Sequence, residues 1–207
     1  MYLIKKLSKL RFYLILSLMP FCLQCGHTAE LLIPTGDSKQ RIVCPSCGYI
    51  HYENPKMVCG VLAVYDDKIL LCQRAIEPRY GLWTLPAGFM EIGETMKQGA
   101  IRETLEEADA VAINAKLYCL FDIPKLGQIH AMYLADLKDG RFGVGAESLA
   151  CKLVTPDEID WDNLAFKTVK QTLELYLSDK QRLLDLGKNA NDFNEFPLHE
   201  VAVWDYF

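Results

Sequence analysis

A chain of 207 residues, 51% apolar and 24% charged, can bury a substantial core and is too ordinary in composition to be disordered or fibrous. Its formal net charge of −5 disfavours extended contact with a nucleic-acid backbone, so an anionic ligand would need cations to mediate its binding. The expected partner is a small molecule, with no extended nucleic acid and no membrane; a homodimer contact stays open.

The stretch "MYLIKKLSKLRFYLILSLMPFC" has basic residues followed by a short apolar run, the outline of a signal peptide. The run is too short for a membrane span, and no small-residue cleavage site follows. Residues 1–20 are read as an N-terminal extension, with Met19 as an alternative start, and the protein is expected to be cytoplasmic. Cys22, Cys25, Cys44 and Cys47 then form C-x2-C-x18-C-x2-C, a zinc-type spacing. Four thiolates complete a tetrahedral shell with no open position, so the expected Zn2+ is structural. Residues 21–55 thus read as a zinc ribbon that takes much of its folding energy from the metal. It is expected to pack on the next domain or to build a dimer contact. Cys59, Cys72, Cys119 and Cys151 stand singly in apolar stretches and read as small core hydrophobes, in keeping with a reducing compartment.

From Met57 the pattern becomes β-leaning. "MVCGVLAVYD" and "KILLCQRA" form a hairpin across Asp66-Asp67, and Pro86 keeps "WTLPAGF" extended. Thr95 to Ala108 reads as a helix that buries Met96, Ala100, Leu105 and Ala108. Strands follow in "AKLYCLFDI", "QIHAMYLADL" and "SLACKLV", then a capped turn in "TPDEI". A last amphipathic helix carries Phe166, Val169, Leu173 and Leu177 at three- or four-residue steps. Mixed strands with interspersed helices predict an α/β/α sandwich over residues 56–186. The polar residues 187–207 are expected to form a loosely held C-terminal tail, although "VAVWDYF" could dock.

On the first of these helices Glu103, Glu106 and Glu107 fall within an arc of roughly 100°. The nearest base, Arg102, projects from another side of the helix. Carboxylates that must stay ionised together suit hard cations such as Mg2+ or Mn2+. With Gly88 and Glu94 they spell G-x5-E-x7-R-E-x-x-E-E. This resembles the signature of the Nudix hydrolases, which cleave a nucleoside diphosphate linked to another moiety. Two positions depart from that pattern: Asp109 replaces a usual glycine and Thr104 a usual aliphatic residue. The resemblance implies that Glu103, Glu106 and Glu107 ligate the metals, with the Ala87 carbonyl as a further ligand. It also implies that Glu94 pairs with Arg102 to order the loop. Bound divalent ions would neutralise the diphosphate and lower the pKa of the attacking water. Glu147, in a glycine-rich loop, is the distal candidate for general base and equally for metal ligand.

"FCLQCG…CPSCGYIHYENPKMV" and "LCQRAIEPRYGLWTLPAGFMEIGET" extend the resemblance to the zinc-ribbon Nudix subfamily that includes ADP-ribose and FAD pyrophosphatases. The "SQPWPFP" array of NADH pyrophosphatases is absent, and the proline that often marks ADP-ribose enzymes is out of register, Pro124 lying two residues short. ADP-ribose or FAD is the expected substrate. Three alternatives stand beside it: an inactive nucleotide- or partner-binding module, an NADH hydrolase, and an RNA 5′-end hydrolase. Tyr80, Trp83, Phe89, Phe121 and Tyr133 are candidates to stack on the substrate rings, and Arg74 and Arg79 to hold a phosphate.

Overall fold

The computed structural model describes residues 21–206; the extension expected over residues 1–20 lies outside them. The chain divides into two compact units, one ending at Asn54 and the other beginning at Pro55. The first holds three short antiparallel strands in the order β1 (Glu30–Leu32), β2 (Arg41–Val43) and β3 (Ile50–His51). Its cysteine knuckles turn at Gly26 and Gly48, both at positive φ, where a side chain would be strained.

The second unit is built on a mixed sheet. Strands β4 (Lys56–Tyr65) and β5 (Lys68–Arg74) form the hairpin, with Asp66 and Asp67 both left-handed as a two-residue hairpin turn requires. The short strands β6 (Trp83–Thr84) and β7 (Ala87–Phe89) pair with β5 and β4. Helix α1 (Met96–Ala108) follows, then β8 (Ala112–Ile123), β9 (Gln128–Leu137) and β10 (Ser148–Val154). Helix α2 (Lys167–Asp185) and strand β11 (His199–Ala202) complete the chain, and the sheet runs β10-β5-β4-β9-β8-β11.

Strand β4 shows why this is a sandwich. Its alternate residues Cys59, Val61 and Ala63 face one buried cluster, which also contains Ala100 and Ala108 of α1. Leu62 faces the other cluster, with Val169, Leu173 and Tyr176 of α2. The α1 side is dominated by alanine, so the helix approaches the sheet closely; Leu105, expected in the core, is exposed, and Thr104 is buried in its place. The Thr104 hydroxyl donates to the Ala100 carbonyl at 2.8 Å, which satisfies it within the helix.

The tail is not loosely held. Phe196 is buried against Tyr118 and Tyr176, Phe193 is buried edge-on to Phe196, and β11 pairs in parallel with β8. Lys116 Nζ donates to the carbonyls of Phe193, Asn194 and Phe196 at 2.9, 3.1 and 2.8 Å. The polar residues of "GKNANDFNEF" face outward around two aromatic anchors, a pattern without helical or strand periodicity.

Candidate active site

Helix α1 starts at a capping box. Gln98 N donates to the Thr95 hydroxyl at 3.2 Å, and Thr95 N donates to Gln98 Oε1 at 2.8 Å. It ends at Asp109, whose N–H donates to the Leu105 carbonyl and whose left-handed backbone (φ 45°) turns the chain out of the helix. The preceding loop is fastened to the helix by Arg102, whose Nη2 and Nε donate to the two oxygens of Glu94 at 2.8 and 3.1 Å. Arg102 Nη2 also donates to the Phe89 carbonyl at 3.0 Å, and Glu91 N donates to Glu94 at 2.7 Å. Arg102 holds the Glu94 carboxyl down at a pKa of about 2.

Arg102 does not project away from the acids as helical angles suggested. Its Nη1 donates to Glu103 at 2.7 Å and to Glu106 at 2.9 Å, because a long side chain reaches neighbours one and four residues on. Glu106 is the more open of the two, its side chain 57% exposed against 12% for Glu103. Gly88 makes room here: a Cβ at that position would lie 2.3 Å from the Glu103 carboxyl carbon.

Glu107 is 6% exposed and accepts the Ala87 N–H at 3.2 Å. Burial pushes its pKa up to about 8, against the opposing effect of that N–H. Gly145 closes on the same helix end, its N–H donating to the Glu107 carbonyl at 3.0 Å; a Cβ there would strike the Glu106 carbonyl.

These groups share one cleft of about 890 Å³. Glu103, Glu106, Glu107, Arg102, Ala87 and Glu147 line it, together with Arg74 and Phe89. Glu94 stands behind the wall as Arg102's partner. Arg79, Tyr80 and Trp83 are not among the lining residues; Trp83 instead lies under Lys152 Nζ, 4.1 Å from its ring centroid. Phe121 and Tyr133, at 0% and 5% exposed, are core. Sequence reading missed Gln128, His130 and Tyr206 on the far wall, and took Phe166 only for a helix-face residue.

All-oxygen donors suit a hard divalent cation, and the missing side chain at Gly88 lets the Glu103 carboxylate lie close against the strand, where it could hold one. The carboxylates spread more widely than the cysteines. Among the described residues only Cys22, Cys25, Cys44 and Cys47 bring three or more such donor atoms within 4.8 Å of one another. Their Sγ atoms lie 3.7 Å apart for Cys22–Cys47 and 3.5 Å for Cys25–Cys44, close to the edge of a tetrahedron around zinc at about 2.3 Å. The cluster is consistent with a structural zinc site.

The NUDIX domain family matches residues 55–175, more than half of the chain. The chain belongs to the Nudix family. A second family, the zinc-ribbon "Nudix N-terminal", matches residues 20–53. The crystal structure of a NUDIX hydrolase from Nitrosomonas europaea is 41% identical, with TM-score 0.79, and the match covers 89% of this chain and all of that one. A NAD-capped RNA hydrolase of Klebsiella pneumoniae (strain 342) is 32% identical over 146 residues, 70% of this chain and 52% of that protein. One from Vibrio atlanticus is 36% identical over 104 residues, 48% of this chain and 35% of that protein. This Nudix chain spans about half the length or less of these two curated relatives.

These relatives correct the expected partner. A free small molecule with nucleic acid excluded does not agree with Nudix relatives that are named for capped RNA. Net charge was the wrong guide, since a terminal cap needs only a local cleft and no long basic groove. On membranes the described residues allow one statement: no helix is long and apolar enough to cross one.

Proposed function

We propose that this chain is a Nudix pyrophosphohydrolase that cleaves the diphosphate of an NAD-type dinucleotide carried at the 5′ end of RNA, leaving two monophosphate ends. The observation that carries the reading is the shared cleft, where Glu103, Glu106, Glu107 and Glu147 meet Arg102 and Arg74. The names of the curated relatives support the capped end as substrate. ADP-ribose and FAD contain the same diphosphate and serve as comparison substrates.

Glu103, Glu106 and Glu107, with the Ala87 carbonyl, would hold Mg2+ or Mn2+. When bound, the ions supply charge neutralisation of the diphosphate and acidification of a water. The protein's own part is positional. Arg102 fastens the loop through Glu94 and keeps Glu103 and Glu106 oriented. Glu147 faces the cleft from the opposite loop and takes the proton of the attacking water, whose oxygen bonds to phosphorus as the bridging P–O bond breaks. Arg74 holds the phosphate that leaves.

The test is hydrolysis of 5′-NAD-RNA, ADP-ribose and FAD with Mg2+ or Mn2+, comparing wild type with Glu106→Gln. Wild type should release a mononucleotide and a 5′-monophosphate RNA, and the variant should lose on the order of 100-fold or more in kcat. Equal rates in both proteins, or capped RNA left intact while ADP-ribose is cut, overturn the proposal.

A further inference from the structure

Two of the cysteines that stand singly in the sequence, 79 residues apart, meet on the α1 side of the sheet. Cys72 of β5 and Cys151 of β10 are register partners in the antiparallel ladder, and their Sγ atoms lie 3.5 Å apart. Directly opposed residues of such a ladder hold their Cα atoms about 4.5–5.5 Å apart, within the span of about 4.4–6.8 Å that a disulfide accepts. Closing a bond between them therefore asks for side-chain rotation and little movement of the backbone. The two differ in access: Cys72 is 1% exposed, whereas Cys151 is half-buried.

The pair touches the backbone that carries two carboxylates of the cleft. Cys151 Sγ lies 3.5 Å from the Glu107 carbonyl as well as 3.5 Å from Cys72 Sγ, and its single S–H can serve only one of them at a time. The same carbonyl accepts the Gly145 N–H at 3.0 Å, and that N–H also acts on the Cys151 sulfur. The Ser148 hydroxyl is placed to donate to both sulfurs. Between Gly145 and Cys151 the chain presents Glu147, whose carbonyl accepts the Ala75 N–H at 2.8 Å. A register shift in β10 between Ser148 and Ala150 separates that loop from the regular ladder. Cys151 thus joins the end of α1 to the loop that carries Glu147.

We propose that Cys72 and Cys151 are a redox modification site: hydrogen peroxide joins them in a reversible disulfide, and the bond lowers turnover in the cleft by releasing the Glu107 carbonyl and the Glu147 loop. The effect on turnover rests on the reading of that cleft as the hydrolytic site. The half-buried Cys151 thiolate attacks one peroxide oxygen, the O–O bond breaks, and the hydroxide that leaves takes up the thiol's proton as water. Cys151 is then a sulfenic acid. The Cys72 sulfur attacks it, the S–S bond forms as the S–O bond breaks, and the proton of Cys72 leaves in a second water. Two thiols lose two electrons, and one peroxide gains them. A sulfur so bonded has no proton left for the Glu107 carbonyl and is drawn towards β5. A dithiol reverses the step by exchange, as suits a transient bond in a reducing compartment.

The experiment treats the full chain with hydrogen peroxide and then with dithiothreitol, in wild type, Cys151→Ser and Cys72→Ala. Cys151→Ser keeps a hydroxyl donor for the Glu107 carbonyl, and Cys72→Ala leaves Cys151 in place, so the result does not hang on one variant. Non-reducing peptide mass spectrometry should find Cys72 joined to Cys151 in wild type. Hydrolysis of 5′-NAD-RNA and of ADP-ribose should fall on the order of tenfold in kcat, recover with dithiothreitol, and stay unchanged by peroxide in both variants. Absence of the linkage, a linkage with unchanged kcat, or a loss that both variants share overturns the proposal; the shared loss would come from the four thiols of the first unit. Hydrogen–deuterium exchange separates this from the hydrolase reading. If reduced wild type cleaves neither substrate, the hydrolase reading falls. Faster exchange over residues 105–109 and 143–151 in the oxidised protein then keeps the disulfide and its coupling, and unchanged exchange removes them.

Discussion

Gly88 and His130 show how single residues set the chemistry of the cleft. Any side chain at position 88 must displace the Glu103 carboxylate, because the atom it would meet is the carboxyl carbon at 2.3 Å. Gly88→Ala is therefore expected to weaken Mn2+ binding by about 10–100-fold, the usual loss when a ligand's support is disturbed. Isothermal calorimetry with Mn2+ checks this, and unchanged affinity would place the ions elsewhere. His130 gives a pH signature. Its folded pKa of about 4 lies below the ordinary 6.5, so between these values the unfolded chain binds more protons than the native one. The stability is fully present above pH 6.5 and is lost as pH falls towards 4, on the order of 3 kcal/mol over the whole window. Urea unfolding at pH 7 and pH 4.5 should show this loss in wild type and a smaller one in His130→Gln.

Among the elements, α1 was legible in its bounds and its carboxylate arc, whereas Leu105, expected in the core, is exposed and the Thr95–Gln98 capping pair went unread. The carboxylate arc follows from the angles of a 3.6-residue helix, a property of neighbours in the chain. The direction of Arg102 was not legible, since backbone angles do not say where a long side chain ends. The C-terminal segment was misjudged for a related reason: β11 pairs with β8 in parallel, and such a pairing leaves no turn signal in the sequence. Lys116 is the fastener of that segment. Lys116→Met should leave the carbonyls of Phe193, Asn194 and Phe196 without their charged donor and cost about 1–3 kcal/mol. A lower Tm, with new proteolytic cleavage between residues 187 and 198, is the expected result; an unchanged melt would show that the aromatic anchors suffice.

At the scale of the whole molecule, the two units rest on different physics. The unit from Pro55 onward buries apolar residues on both faces of a sheet, one face towards each helix. The first unit has only short strands whose burial runs from exposed to intermediate, too little to order a chain of this size by itself. Its order should depend on zinc. Chelation is expected to release about one Zn2+ per chain and to open residues 21–54 to protease, and a ribbon that stays resistant after the metal is removed would refute this.

Sequence alone determined the features that depend on spacing along the chain: the four-thiol cluster, the carboxylate helix, the β4–β5 hairpin and the alternation that makes a sandwich. It determined them because thiolate spacing, helical angle and strand pleat are properties of neighbours. Tertiary structure decided what stands across the cleft. Only folding brings Gln128, His130, Phe166 and Tyr206 to one wall, returns Arg102 to the acids, and sends Phe121 and Tyr133 into the core. Those placements depend on which strands pair and which face each residue takes, and residues far apart in the chain carry no mark of that meeting.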